Sequence, residues 1–593
     1  MEQTIEEKKP TFWSKFSSTC ATIWKKIAGA YTYISTKPWR YAIYLPLLLI
    51  AFYIIYFIFN FSTTPYEYHS DAAGYASPGA KTAFMVCLGI YIGAIVLVEV
   101  LLSIFKKNNA SRIAFGLVLI SIGILLVFTN CRYMNNPDYK HDYTYYGPKG
   151  HWELIYDIFN FNKWPDPELT NQTYQPKLWH TLMAWIMKFH SIFIRQPVNS
   201  PVYVWYEPNA AAYTLYTNYQ YSLLETCRIY INFYSALTIW GFYKCFKEMR
   251  LDGAKLVIAT FLAVFVPSLW YMPNYGNNDM LALTFAVFAL YFALRFYHSE
   301  SWIDIIVTAF MIGLGMMTKL SAAMIAFPIA FLYLLLLIKY IKRYQASKDK
   351  KALWMFIYKM AAFAVIVFPL GLGIHIFNKV KFGVPIGYVK DTEWYDGAYH
   401  ESIQHIHLDF YGFWNRFIFF PTKDLGYSHY LLQWLDPDKA YFANGSWYYT
   451  PEWGKSDFSV WTAFLKTALF GEWSYDLKGF AAVGADFAYV FYILVGVLFE
   501  IAALYYTVRF VIRLFKKASL KENALYIMMA IFFLTNAFSY IYFNYKYPVG
   551  CSENARYAML ILIPIQVAVS SFVVDVTKGI VKITKKRKES SLS

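Results

Sequence analysis

Three short stretches carry much of the chemistry this chain can do: His141-Asp142, Gly150-His151-Trp152-Glu153-Leu154-Ile155 and Gln175-Pro176-Lys177-Leu178-Trp179-His180. A carboxylate such as Asp142 in a partly desolvated cleft accepts a proton from an incoming hydroxyl or amide. His141 and His151 beside it would tune that carboxylate or bind an anionic group. Pro176 suits the first turn of a helix, which sets His180 one turn on and able to face the same cleft. The plainer readings are a solvated loop aspartate and an interfacial histidine, because most carboxylates are exposed. Asp138 and Asp157 are weaker competitors for the proton-acceptor role.

Later residues add polar and cationic groups. Asn277-Asn278-Asp279 stands where an apolar run begins, and Asn and Asp are also good helix caps. Lys319 lies between two apolar runs, in Gly313-Leu314-Gly315-Met316-Met317-Thr318-Lys319-Leu320-Ser321. It either holds a phosphate or snorkels to the interface. Glu472, after Phe470-Gly471, can bond a sugar hydroxyl, pair with a cation, or remain a solvated loop carboxylate. Arg556, in Asn554-Ala555-Arg556-Tyr557, has the fork geometry that suits phosphate oxygens, or it pairs with Glu553 three residues earlier. Glu99 and Glu500 fall inside apolar runs, where a carboxylate is a functional suspect, and neither has an evident role.

The elements that must position these groups are membrane spans. The chain has 593 residues, of which 58% are hydrophobic, 21% aromatic and 16% charged. A soluble protein carries about 25% charged residues. Apolar runs long enough to cross a bilayer fall at 41–61, 82–105, 113–130, 229–247, 256–272, 279–297, 302–318, 321–340, 354–377, 485–509, 522–543 and 557–577. The fold class expected is therefore an all-α polytopic membrane protein of about twelve transmembrane helices. The net charge of +16 comes from short basic segments at one side of these runs. Examples are Lys106, Lys107 and Arg112, then Lys342, Arg343, Lys350 and Lys351, then Arg513, Lys516 and Lys517, and the tail from Lys582 to Lys588. That pattern puts both termini in the cytoplasm, and it explains the charge without a nucleic-acid partner.

Two long segments, 131–228 and 378–484, then lie outside. Residues 177–193 read as an amphipathic helix at the outer interface, because a span there would invert every later loop. The chain divides into a cytoplasmic N-terminus with an added hairpin (1–112), a transmembrane core (113–377) with the candidate catalytic loop 131–228, an outer loop (378–484), and C-terminal spans with a basic cytoplasmic tail (485–593). The six cysteines form no CxxC pair and no metal spacing, so free buried thiols are expected, with one disulfide among Cys131, Cys227 and Cys551 as the alternative.

Taken in order, these motifs resemble the GT-C superfamily of polyprenyl-phosphate-sugar-dependent glycosyltransferases. The likeness is to the protein O-mannosyltransferase branch, with the lipid A aminoarabinose transferases, and it extends from about residue 113 to 577. The sequence departs from the family pattern at Lys177, where a second proline is common, at Leu154, where tyrosine is common, and at Asn554-Ala555.

The resemblance implies a sugar donor on a polyprenyl phosphate and an acceptor hydroxyl on protein, lipid or cell-wall polymer. It implies Asp142 as general base, inversion at the anomeric carbon, and His141, His151, His180, Asn278, Asp279, Lys319, Glu472 and Arg556 as substrate-binding residues. The leaving phosphate would be met by Arg556, Lys319 and His180. No cofactor and no catalytic metal are expected, and the active site is expected on the extracytoplasmic face of a cell membrane. The readings that compete are a lipid-linked glycan flippase and a ligase that transfers a whole glycan.

Overall fold

The structure is a computed structural model. It describes residues 78–104, 109–130, 151–164, 175–192, 215–383, 460–470, 480–516, 523–546 and 554–592, together with three short strands and a few isolated positions. His141, Asp142 and Glu472, the predicted span 41–61, and Cys131 and Cys551 lie outside the described residues.

The described residues are helical nearly throughout. Helices α1 (Pro78–Ile104) and α2 (Ala110–Asn130) pack on each other, and α2 opens where the Asn109 side chain accepts from the Arg112 N–H. Two short helices follow, α3 (His151–Phe161) and α4 (Leu178–Ser191), and they also pack on each other. The 14 residues of α4 span about 21 Å, too little to cross about 30 Å of hydrocarbon. Its Trp185 and Phe189 are exposed while Trp179, His180, Met183 and Met187 are buried, as expected of a helix lying along an interface. A hairpin pairs β1 (Val202–Val204) with β2 (Leu215–Thr217), and a second pairs β3 (Tyr441–Ala443) with β4 (Ser446–Tyr448).

The core is built from α5 (Asn218–Glu248), α6 (Gly253–Val264), α8 (Asp279–Ser299), α9 (Trp302–Thr318) and α11 (Lys350–Phe382). The short α7 (Ser268–Tyr271) follows α6, and α10 (Ala326–Ser347) precedes α11. Four more helices complete the set: α12 (Val460–Phe470), α13 (Phe480–Phe515), α14 (Ala524–Lys546) and α15 (Leu562–Leu592). Turns of two residues join α8 to α9 and α10 to α11. In each, the residue after the helix is left-handed (Glu300, φ 52°; Lys348, φ 58°) and the next caps the new helix through its side chain.

Small residues bring the core helices close. A Cβ added to Gly313 would stand 2.7 Å from Leu370 Cβ, and one added to Gly371 would stand 2.6 Å from Met316 Sδ. Both glycines therefore set the approach of α9 and α11. At the centre, the Thr238 and Thr284 hydroxyls meet at 2.6 Å, and each also bonds the Tyr234 carbonyl, which ties α5 to α8.

The structure bears on the predicted spans in four places. The run 256–272 is not one helix: it breaks at Phe265–Pro267 between α6 and α7, because proline cannot donate to the preceding turn. The run 229–247 is the inner part of a longer α5. That helix is not among the six that are long and apolar enough to cross a membrane, since it buries Asn232, Ser235, Thr238 and Lys244 against protein instead of lipid. The last span begins at Leu562 after two tight turns, and its helix runs on through the basic tail to Leu592. Finally, the count of twelve is not tested, because the run 41–61 lies outside the described residues. Six helices qualify, in α8, α10, α11, α13, α14 and α15, and apolar stretches of 10–17 residues lie in α1, α2, α6 and α9. The protein is an all-α, multi-pass membrane protein.

Candidate functional site

The site is assembled at the end of the bundle where α8 begins. Asp279 is the first residue of α8, so its carboxylate sits against the positive end of the helix. Its backbone N–H donates to the Asn277 side chain at 3.1 Å. Asn278, by contrast, caps nothing through its side chain. Its amide donates to the Gln175 side chain at 3.0 Å and to the Thr318 carbonyl at 2.9 Å, joining the α8 start to the segment before α4 and to the end of α9. The capping reading thus holds for Asn277 and fails for Asn278.

Thr318 ends α9, and Lys319 follows in extended conformation. The Lys319 ammonium donates to Asp279 Oδ1 and lies 4.5 Å from the centre of the Tyr557 ring. Arg556 approaches the other carboxylate oxygen, with Nε 3.7 Å from Asp279 Oδ2, and its Nη2 donates to the Tyr557 hydroxyl at 3.1 Å. Lys319 therefore does not snorkel. The carboxylate is 4% exposed, with 19% exposure at Lys319 and 12% at Arg556. Two cations face one carboxylate in a region of low dielectric, so the trio carries a formal charge of +1.

The turn that presents Arg556 is held from behind. The Asn554 side chain accepts from the Arg556 N–H at 3.0 Å, and the Thr467 hydroxyl on α12 accepts from the Ala555 N–H at 2.8 Å. The Tyr271 hydroxyl donates to the Thr467 carbonyl. Tyr271, Thr467 and Arg556 are thus locked into one frame from α7, α12 and the approach to α15.

Five residues after Gln175 lies the second polar group. His151 Nδ1 and His180 Nε2 share a proton at 2.8 Å, with rings stacked at 5.0 Å, and Trp179 packs edge-on to both. Trp179 in turn donates from Nε1 to the Tyr234 hydroxyl on α5 at 3.0 Å. His180 is fully buried, and burial, with the neighbouring His151 and Lys177 charges, drives its pKa well below the histidine range. It is a neutral imidazole whose Nδ1 has no hydrogen-bond partner. Burial also pushes the Lys177 ammonium down to about 7.

The sequence-predicted residues therefore fall into three sets. Asn278, Asp279, Lys319 and Arg556 meet in one cluster, and His151 and His180 meet in another linked to it through Gln175–Lys177. His141, Asp142 and Glu472 lie outside the described residues. Sequence reasoning passed over Gln175, Tyr557, Trp179 and Thr467 as partners. Gln175, Trp179 and Tyr557 stand inside the polar motifs, whereas Thr467 has no local signal. Cys227 and Cys245 are buried, and their thiols point to the Met183 and Val287 carbonyls. Among the described residues no three His, Cys, Asp or Glu side chains gather in a way that could hold a metal ion.

Comparison with known proteins bears on the same elements. Residues 224–369 match the dolichyl-phosphate-mannose-protein mannosyltransferase family. That segment runs from α5 into α11 and contains Asn278, Asp279 and Lys319. No curated protein matches the sequence. Among solved structures, the apo crystal structure of the Archaeoglobus fulgidus oligosaccharyltransferase is similar at a TM-score of 0.39 and 15% identity. The match covers 80% of this chain, which spans about half (52%) of that one. The likeness to the GT-C glycosyltransferases read from the motifs is borne out by the family match.

Proposed function

We propose that the protein is an integral membrane glycosyltransferase. It moves a sugar from a polyprenyl-phosphate donor to an acceptor hydroxyl on protein, lipid or cell-wall polymer, at the extracytoplasmic face of a cell membrane, with both termini in the cytoplasm. One observation carries the reading. Lys319 and Arg556, from distant parts of the chain, converge on a single buried carboxylate at the end of a helical bundle. Such a seat suits a phosphate that enters from the membrane, since fixed cations in a water-poor site stabilise developing negative charge. The matched family's name refers to dolichyl-phosphate-mannose, a sugar on a polyprenyl phosphate, which supports the donor class.

In the proposed reaction the Asp142 carboxylate takes the proton of the acceptor hydroxyl. The acceptor oxygen bonds the anomeric carbon from the face opposite the phosphate. The carbon–oxygen bond to the phosphate breaks, and its electron pair leaves with the polyprenyl phosphate. Configuration inverts. The departing phosphate gains one negative charge, which Arg556 and Lys319 offset, and Asp279 holds the two cations apart from each other. His180 stays neutral and offers a nitrogen without adding charge, with His151 fixing its ring. His141, Asn278 and Glu472 complete the substrate contacts. No metal or cofactor enters this scheme.

The test is release of polyprenyl phosphate from a panel of polyprenyl-phosphate sugars, by purified wild type and Asp142→Asn in lipid, with cell-envelope acceptor. The variant is expected to lose about 10²–10⁴ in rate with donor binding retained. Equal release by both would move the base to another residue. Transfer of donor lipid between leaflets, without release by either, would instead favour a flippase.

A further inference from the structure

Asp575 is a carboxylate that the proposed reaction does not use. It lies on α15, about 20 Å along the helix from Leu562 and the turn that presents Arg556. Two neighbouring helices send donors to it. Lys255, in the first turn of α6, approaches Oδ1 at 2.7 Å. On α13, Arg509 Nη1 donates to Oδ2 at 3.4 Å and the Tyr506 hydroxyl donates to the same oxygen at 3.3 Å. One turn on from Arg509, Arg513 donates to Asn523 Oδ1 at 3.3 Å and lies over the Tyr526 ring, which itself packs on Tyr506. Along α15 the Asp575 stripe continues with Lys578, Lys582 and Lys585, all exposed and spaced to share one helix face. Lys255 is 22% exposed and Arg509 37%, so the cluster opens outward.

Charge decides what can sit there. Lys255, Arg509, Arg513, Lys578 and Lys582 stand against Asp575 and the exposed Asp252 at the start of α6. The segments 1–40, 105–108 and 517–522, which the charge pattern places on the same side of the membrane, each hold more basic than acidic residues. A second copy of the chain would bring the same sign. The complement is therefore an anion. Lys255 carries three N–H donors and Arg509 five, and the bonds to Asp575 and the Tyr505 hydroxyl leave Arg509 Nε and Nη2 for phosphate oxygens. Exposed apolar residues flank the cations, Val508, Val511 and Ile512 on α13 and Ile580 and Val581 on α15. They suit acyl chains and offer nothing to a soluble anion.

We propose that the corner formed by α6, α13 and α15 around Asp575 binds the headgroup phosphate of an anionic phospholipid. Asp575 holds Lys255 and Arg509 together, and these two meet the phosphate, with Lys578 and Lys582 beside the headgroup. The acyl chains lie along the exposed face of α13. A bilayer delivers such lipids to this border, and cations near its surface attract them. The site stands apart from the proposed reaction, whose phosphate seat is at Arg556 and Lys319.

The experiment uses the full chain in neutral detergent, stripped of lipid. It is titrated with phosphatidylglycerol or phosphatidylcholine of the same acyl chains, and bound lipids are counted by native mass spectrometry. Wild type is expected to bind the first phosphatidylglycerol about tenfold more tightly than phosphatidylcholine. Arg509→Gln combined with Lys578→Gln should remove that preference. Glutamine keeps a donor for Asp575, and an unchanged thermal midpoint checks that the fold is intact. Lys342→Gln combined with Lys350→Gln removes the same charge from exposed positions near the α10–α11 turn and should keep the preference. Equal affinity of wild type for the two lipids would overturn the proposal. So would a preference retained by the first double variant or lost equally by the second, or binding of inorganic phosphate alone as tight as that of phosphatidylglycerol.

Discussion

Helix α8 carries an acidic group at each end, and the two ends are built differently. At its start Asp279 meets Lys319, and just past its last turn Glu300 meets Lys339; each acid lies beside a tyrosine, Tyr557 or Tyr340. The similarity stops there. Glu300 accepts from both Lys339 and Tyr340, its carbonyl accepts from Lys359, and the pair opens to solvent, with Lys339 60% exposed. Its partners come from the neighbouring helices α10 and α11, and this is a turn being held. Asp279 is nearly inaccessible, and its two cations arrive from residues 40 and 277 positions later in the chain. Nothing about closing the α8 turn requires both cations there. The comparison teaches that an ion pair at a helix end becomes a candidate site when charge converges in excess of what the local fold uses.

The largest expected effect comes from breaking the convergent end. Lys319→Ala and Arg556→Ala should each lower transfer by about 10²–10³, as loss of a fixed charge-stabilising group does. Lys339→Ala at the other end should leave transfer near wild type, measured in the same polyprenyl phosphate release assay. Asp279→Asn sharpens the contrast differently: it leaves two buried cations facing each other. A loss of about 3–5 kcal/mol in stability is expected, read as a drop in thermal midpoint, together with lost transfer.

A smaller effect tests the frame behind Arg556. Thr467→Val removes the acceptor for the Ala555 N–H and should cost about 1–3 kcal/mol. Transfer by Thr467→Val should fall mainly through weaker donor saturation, seen as a raised KM. Lys177 gives a pH signature. The unfolded chain keeps this lysine protonated up to about 10.5 and the folded chain only to about 7. Between those values the unfolded state holds the extra proton, so the Lys177 contribution makes stability rise as pH rises from 7 toward 10.5. Lys177→Met should flatten that slope when thermal midpoints at pH 7 and pH 9 are compared. The smallest effect is Lys339→Ala on stability, within about 1 kcal/mol, because the pair is exposed.

Much of this site was legible in the sequence because its residues stand at the ends of apolar runs. Asp279 opens one, Lys319 separates two, and Arg556 precedes the last. What could not be read was which ends meet. The Gln175–Asn278 bond spans 103 positions and the Thr467–Ala555 bond spans 88, and no periodicity encodes either. The hydropathy pattern is weakest where a helix buries polar side chains. α5 is too polar to qualify as a span by hydropathy, because protein surrounds its Thr238 and Lys244. In the opposite sense, the apolar run through Pro267 looked continuous, although proline breaks it into α6 and α7.

The most direct measurement is equilibrium binding of a polyprenyl monophosphate to the protein in lipid nanodiscs, for wild type, Lys319→Ala, Arg556→Ala and Lys339→Ala. The account predicts at least about tenfold weaker binding for the first two variants, equal to a loss of about 1.4 kcal/mol, and unchanged binding for the third. Equal affinity in all four proteins would contradict it, and the Asp279 cluster would then be a second structural ion pair like the one at Glu300.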